Sequence, residues 1–156
     1  PGRRPMSTAW RVIGVGTPHG DDAVGLRAIE RLRQRIIGDN IRLHVARSGS
    51  QLLDLIEPDE KLILIDGIRT GESPVAAIHR LQWPDARVRF TTGTSSHSFG
   101  IVEALEMAAA LGMLPSTVLI FGIEIGWCEP DAEPHPRLES GLEDLAAAVN
   151  EEVNRQ

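Results

Sequence analysis

The sequence predicts an α/β fold, a three-layer, doubly wound sandwich with a mostly parallel twisted sheet and helices on both faces. Three observations support this fold class. An apolar run at residues 10–15 stops at glycines and is followed by helical spacing, the run at residues 62–65 is apolar throughout, and strand and helix patterns alternate to the end. At 156 residues, one domain is expected. We assign residues 1–9 to an N-terminal tail and residues 10–156 to a single α/β domain.

The predicted elements follow from hydrophobic periodicity and from turn residues. Strands are expected at residues 10–15, 41–46, 62–65, 76–81 and 117–125. Helices are expected from Asp21 to about residue 38, through residues 52–56, at 101–111 and at 138–153. Serines that precede the second and third of these helices are the expected N-caps. The 76–81 strand is expected at the sheet edge, antiparallel to its neighbour. Residues 82–94 lack clear periodicity, so they form either a substrate-facing loop or a variable connection.

The first turn is rich in glycine, which raises the possibility of a nucleotide site. The dinucleotide fingerprint needs a third glycine where His19 stands, and the phosphate-binding loop needs lysine where Asp21 follows Gly20. Adjacent carboxylates at the start of a helix would also repel a phosphate. The turn therefore favours a cation, and no organic cofactor is expected.

Three residues that follow strands or precede helices are candidates for a site. Asp22 follows Asp21, the expected cap, at the start of the first helix, Asp66 ends the central strand, and His97 precedes the helix at residues 101–111. Each has an ordinary alternative role, respectively a first-turn helix residue, a loop hydrogen-bond acceptor and a polar loop residue. A helix N-terminus lowers the pKa of a histidine and so favours the neutral ring that binds metals.

The carboxyl ends of parallel strands meet at one edge of the sheet, so these three side chains are expected to converge there. Two carboxylates and one imidazole could form an open three-ligand site for a divalent metal. This ligand set does not choose among Zn, Ni, Mn and Fe.

Composition excludes several kinds of partner. The net charge is −6, with basic residues scattered along the chain, which argues against nucleic acid. No apolar run has the length needed to span a bilayer, and no signal peptide is recognised. Cys128 is the only cysteine, which excludes an intrachain disulfide and fits a reducing compartment. A cytoplasmic location is expected.

Four sequence stretches together resemble the hydrogenase maturation endopeptidases, and they occur in the order found in that family. They are Gly14-Val15-Gly16 with Asp21-Asp22-Ala23-Val24-Gly25, Leu62-Ile63-Leu64-Ile65-Asp66, Ser96-His97-Ser98-Phe99-Gly100 and Phe121-Gly122-Ile123-Glu124. The resemblance implies a peptidase domain that removes the C-terminal extension from the large-subunit precursor of a nickel-iron hydrogenase, after nickel insertion.

The resemblance also implies roles for the candidate residues. Asp22, Asp66 and His97 take the positions that bind metal and act in catalysis, in an endopeptidase of aspartic type whose cleavage activates the hydrogenase. The family is expected to receive its nickel with the substrate, and Zn or Cd could replace that nickel in a crystal. The oligomeric state cannot be read from the sequence, although a monomer is expected.

Two other functions remain open at this point. Cys128 could act as a nucleophile with His135 or His97, although no helix-start or oxyanion-loop signature surrounds the cysteine. Alternatively, the chain could be a non-enzymatic nickel-binding or escort protein in hydrogenase assembly. Incubation with a precursor separates the last alternative from a peptidase, because only a peptidase shortens the precursor.

Overall fold

The computed structural model describes residues 9–18, 23–35, 39–85, 100–126 and 135–155. These residues form five strands and four helices. In chain order the elements are β1 (Trp10–Val15), α1 (Val24–Arg35), β2 (Ile41–Ala46), α2 (Gly49–Leu55), β3 (Lys61–Ile68), β4 (Ile78–Gln82), α3 (Ile101–Ala110), β5 (Val118–Glu124) and α4 (Arg137–Asn154). None of the helices in these described ranges has the length and apolar character required to cross a bilayer.

The strands form one mixed sheet in the order β2-β1-β3-β5-β4. The first four of these strands pair in parallel, and β4 pairs antiparallel with β5 at the edge. Helices α1 and α4 pack on one face of the sheet, and α2 and α3 pack on the other. The predicted three-layer fold and its antiparallel edge strand are therefore confirmed.

Strand β3 lies at the centre of the sheet and is apolar on both faces. Leu62 and Leu64 belong to the core beneath α2 and α3, whereas Ile63 and Ile65 belong to the core beneath α1 and α4. All four side chains are at most 1% exposed. Such two-sided burial requires a continuous apolar run, and it carries the chain straight to Asp66 at the carboxyl edge of the sheet.

The prediction that the central strand ends at Asp66 is wrong, because β3 continues to Ile68. Gly67 pairs with Ile123 and Ile68 pairs with Glu124 of β5. Gly67 is a packed strand residue and not a turn, since a Cβ atom there would lie 2.9 Å from Val24 Cγ2. The absence of a side chain at Gly67 allows the start of α1 to approach the end of β3.

Helix α1 also contacts β1 backbone to backbone. A Cβ atom at Gly25 would lie 2.3 Å from the carbonyl oxygen of Val15, and one at Gly14 would lie 2.2 Å from the carbonyl oxygen of Gly25. Both distances are shorter than van der Waals contact allows. The pair of glycines thus fixes the N-terminus of α1 above the carboxyl ends of the central strands.

The helix starts agree only in part with the predicted caps. Ser48 caps α2, where its Oγ accepts a hydrogen bond of 3.2 Å from the Gln51 amide, so a serine cap is confirmed there. The N-cap of α3 is Gly100, and its amide donates to Glu103 Oε2 at 3.1 Å. The serines expected to cap this helix, at positions 95, 96 and 98, lie outside the described residues.

Replacing Gly25 with alanine tests the close contact between α1 and β1. Helix propensity alone would raise the free energy of unfolding by about 1 kcal/mol. We expect it to fall instead, by about 2 kcal/mol, because the added methyl group overlaps the Val15 carbonyl. Urea denaturation measures the change. Gly100→Ala is the control, since its Cβ would meet only the flexible end of Glu103 at 3.2 Å, and it should lose no more than the roughly 1 kcal/mol by which alanine is the poorer N-cap. A Gly25→Ala variant at least as stable as the wild type would contradict the contact.

A polar cluster lies at the opposite, amino end of the sheet. Arg11 Nε donates to Glu60 Oε2 at 2.8 Å, and Arg11 Nη1 lies 3.2 Å from His44 Nε2. The arginine can donate to this ring nitrogen only when the nitrogen is unprotonated. Burial and the positive charge of Arg11 lower the pKa of His44 from its ordinary value of 6.5.

This lowered pKa predicts a loss of stability at acidic pH. Below pH 6.5 the unfolded chain binds a proton at His44 more readily than the folded chain does, so the free energy of unfolding falls as the pH falls. His44→Gln cannot take up that proton, so its free energy of unfolding should fall less between about pH 8 and about pH 5.5, two values that lie on either side of the ordinary histidine pKa. Urea denaturation at both pH values measures the fall. Equal pH dependence of stability in the wild type and in His44→Gln would refute the lowered pKa of His44.

Candidate active site

Asp66 is the predicted site residue that falls within the described part of the chain. It lies in β3 two residues before the end of the strand, is half-buried, and its Oδ1 accepts a hydrogen bond of 2.8 Å from the Gly67 amide. Asp22 and His97 lie outside the described residues. Their convergence with Asp66 on one metal ion therefore stays a prediction.

The described residues nearest to Asp22 in sequence lead toward Asp66. Asp22 precedes Val24, the first residue of α1, by two positions, and Val24 packs against Gly67, the neighbour of Asp66. His97 precedes Gly100, the N-cap of α3, by three positions. Helix α3 covers the face of the sheet on which the Asp66 side chain lies. Val24 thus lies at the edge of the sheet that carries Asp66, and α3 packs on the same face as the Asp66 side chain.

Asp66 shares its face of the sheet with two residues of the neighbouring strands. Both Asp66 of β3 and His79 of β4 pair with Gly122 of β5, so the three residues form a row across the sheet. Gly122 contributes no side chain, and Ile68 occupies the space above it, where a Cβ atom would lie 2.8 Å from Ile68 Cδ1. The edge therefore has an apolar floor between two polar side chains.

A buried carboxylate lies farther along the same edge. Glu124 is 1% exposed, and its two oxygens accept the Thr70 amide at 3.0 and 3.2 Å as well as the Thr70 hydroxyl. His79 Nε2 lies 3.8 Å from Glu124 Oε1, which is too long for a hydrogen bond. This ring nitrogen is buried and has no hydrogen-bond partner among the described residues.

Glu124 belongs to the stretch Phe121-Gly122-Ile123-Glu124 that resembles the family, but no role was predicted for it from the sequence. The signal that identified Asp66 was also present at Glu124, because a carboxylate there directly ends the apolar run of β5. Across the described ranges, no three histidine, cysteine, aspartate or glutamate side chains converge closely enough to hold a metal ion. Within the described ranges, the Glu124 carboxylate is hydrogen-bonded to Thr70 and is not part of a metal-binding cluster.

The residues of the cysteine alternative are described only in part. Cys128 lies outside the described residues, whereas His135 is exposed just before α4. Its Nδ1 accepts a hydrogen bond of 3.1 Å from the Arg137 amide, an interaction typical of a helix start. This contact gives His135 a structural role at the start of α4.

The fold and the edge define a doubly wound α/β protein with acidic side chains at the carboxyl ends of its central strands. Sequence comparison shows 28% identity over 147 residues with the hydrogenase 2 maturation protease of Escherichia coli, covering 90% of each chain. The hydrogenase expression/formation protein HupD of Thiocapsa roseopersicina is 29% identical over 118 residues, which span 72% of this chain and 52% of HupD. No protein-family model matches the chain.

Structural comparison agrees with the sequence comparison. The hydrogenase maturating endopeptidase HybD from E. coli superposes with a TM-score of 0.72 at 26% identity, over 92% of this chain and 93% of HybD. The resemblance to the hydrogenase maturation endopeptidases is therefore confirmed over nearly the whole chain, in both sequence and fold.

Proposed function

We propose that this chain is an endopeptidase that removes the C-terminal extension from a nickel-iron hydrogenase large-subunit precursor after nickel insertion. The observation that carries the proposal is the match to hydrogenase maturation proteases over 90% of the chain. The position of Asp66 supports it, because a half-buried carboxylate at the carboxyl edge of a parallel sheet lies where ligands bind in such folds.

In this proposal Asp22, Asp66 and His97 recognise the nickel that the precursor carries. Carboxylate oxygens and an imidazole nitrogen suit a divalent transition metal, and three protein ligands leave positions free for groups of the substrate. The nickel is thus part of the substrate, and Zn or Cd could occupy the same ligands in a crystal. Binding through the metal would make cleavage conditional on completed nickel insertion.

The proposed chemistry is hydrolysis of one peptide bond. One carboxylate of the pair Asp22 and Asp66 accepts a proton from a water molecule, which attacks the scissile carbonyl carbon. The positive charge of the nickel that the precursor carries would stabilise the oxyanion that forms on the carbonyl oxygen. The same proton then passes to the leaving nitrogen, and the extension departs as a free peptide.

Incubation with a nickel-loaded large-subunit precursor from the same organism tests the function. Mass spectrometry should show a decrease equal to the C-terminal extension. Asp66→Asn should slow cleavage by about a hundredfold or more, since the neutral amide can still accept from Gly67 but binds a divalent transition metal more weakly than a carboxylate does and cannot take a proton. His97→Ala should abolish cleavage. Asp54→Asn, at an exposed position of α2, is the matched control and should cleave normally.

The same assay separates the alternatives. A wild-type chain that binds the precursor without shortening it would instead be an escort protein. Loss of cleavage after alkylation of Cys128 would favour the thiol mechanism, and undiminished cleavage by His97→Ala would refute the role given to that residue.

A further inference from the structure

The segment that follows β3, residues 69–72, is tied to the end of β5 by a buried glutamate. We propose that Glu124 is a positioning residue of the peptidase site, which holds this segment as a fixed wall of the crevice next to Asp66. The inference rests on the proposed function, and it adds a determinant that lies outside the predicted set of Asp22, Asp66 and His97.

The first argument is the set of hydrogen bonds between Glu124 and Thr70. Glu124 accepts the amide of Thr70 with both oxygens, at 3.0 and 3.2 Å, and also accepts the Thr70 hydroxyl. The hydroxyl oxygen in turn accepts the Glu72 amide at 3.1 Å. One carboxylate therefore organises the backbone beyond the last pairing of β3, where no strand among the described residues pairs with it.

A second set of contacts tethers the same segment. Arg69 Nε donates to the carbonyl oxygen of Gly126 at 3.0 Å, and the Ile125 amide donates to the carbonyl oxygen of Ile68 at 3.0 Å. Gly71 turns the chain with φ of 71°, and no described residue apart from its chain neighbours lies within 4 Å of its Cβ position. The base of the segment is thus fixed to β5, while its tip makes no such contact with the described part of the chain.

The burial of Glu124 indicates that its carboxylate is retained for the hydrogen bonds that it accepts. A buried charge is costly unless it is paired or fully hydrogen-bonded. Within the described ranges, the basic group nearest to the carboxylate is the His79 ring, whose Nε2 is 3.8 Å from Oε1. Among the described residues, Thr70 supplies the hydrogen bonds to this carboxylate, so the glutamate and the segment depend on each other.

The other buried glutamate provides a contrast. Glu152 is 9% exposed and forms ion pairs with Arg80 at 2.7 Å and Arg155 at 3.5 Å. Arg80 pairs with Phe121 of the core beneath α1 and α4, so this pair lies on the opposite face from Asp66. Glu152 connects α4 to β4 and does not share the face of the sheet that carries Asp66.

The wall lies where a bound peptide would pass. Asp66 and Ile68 are aligned with Gly122 and Glu124, so all four share one face, and the Thr70 hydroxyl reaches that face to contact Glu124. A peptide placed over Asp66 therefore has residues 69–72 beside it. A fixed wall would hold the scissile bond in a reactive geometry, which affects the chemical step more than it affects binding.

The experiment measures kcat and KM for the nickel-loaded precursor with four variants, at a temperature where circular dichroism shows each to be fully folded. Glu124→Gln and Thr70→Val should each lower kcat by about tenfold or more with little change in KM, since a small misplacement costs that much. Thr70→Ser keeps the hydroxyl and should restore kcat to within about threefold of the wild type. Glu152→Gln should lose stability and keep its kcat.

Hydrogen exchange at the Thr70 amide provides a readout that does not depend on the substrate. We expect protection of this amide in the wild type and weaker protection in Glu124→Gln, whose side chain keeps only one of the two acceptor oxygens. Wild-type kcat in Glu124→Gln and Thr70→Val would overturn the inference while leaving the proposed function intact. Equal losses in Glu124→Gln and Glu152→Gln would also overturn it, because they would indicate a general effect of removing a buried charge. A wild-type chain that cleaves no precursor would overturn the proposed function and this inference together.

Discussion

Burial of β3 on both faces is the constraint on which the rest of the structure depends. Its four central side chains are at most 1% exposed, and each such burial contributes roughly 1.5 to 3 kcal/mol. Because the strand pairs in parallel with β1 on one side and β5 on the other, its register fixes both neighbours. Asp66 inherits a defined position from this register, and so does Glu124 through the pairing of Ile68.

The edge of the sheet is built by close contacts that only glycine permits. Gly14 and Gly25 bring α1 onto β1, and Gly67 admits Val24 to the end of β3. Gly122 leaves room for Ile68 between the two polar side chains of its row. Val24, which follows Asp22 by two positions in the sequence, is therefore anchored against Gly67, the neighbour of Asp66. This anchoring is the physical basis for expecting the carboxylates to act together.

The sequence predicted the sheet and its helices because hydrophobic periodicity reflects burial directly. It misjudged the end of β3, since a glycine after an aspartate is typical of a turn, and only packing by Val24 and Ile125 makes Gly67 a strand residue. It also assigned Glu124 no role. The partner of that carboxylate is Thr70, which is 54 residues away in sequence, and no local pattern indicates such a contact.

We propose that Asp22, Asp66 and His97 bind one divalent ion at the carboxyl edge of the sheet, and anomalous diffraction from crystals soaked in zinc chloride tests this proposal. We expect one strong peak with oxygen atoms of both aspartates and a ring nitrogen of His97 at about 2.0 to 2.2 Å. A peak at another place in the protein, or an imidazole well beyond coordination distance of an ion bound at Asp66, would show that the proposed site is wrong.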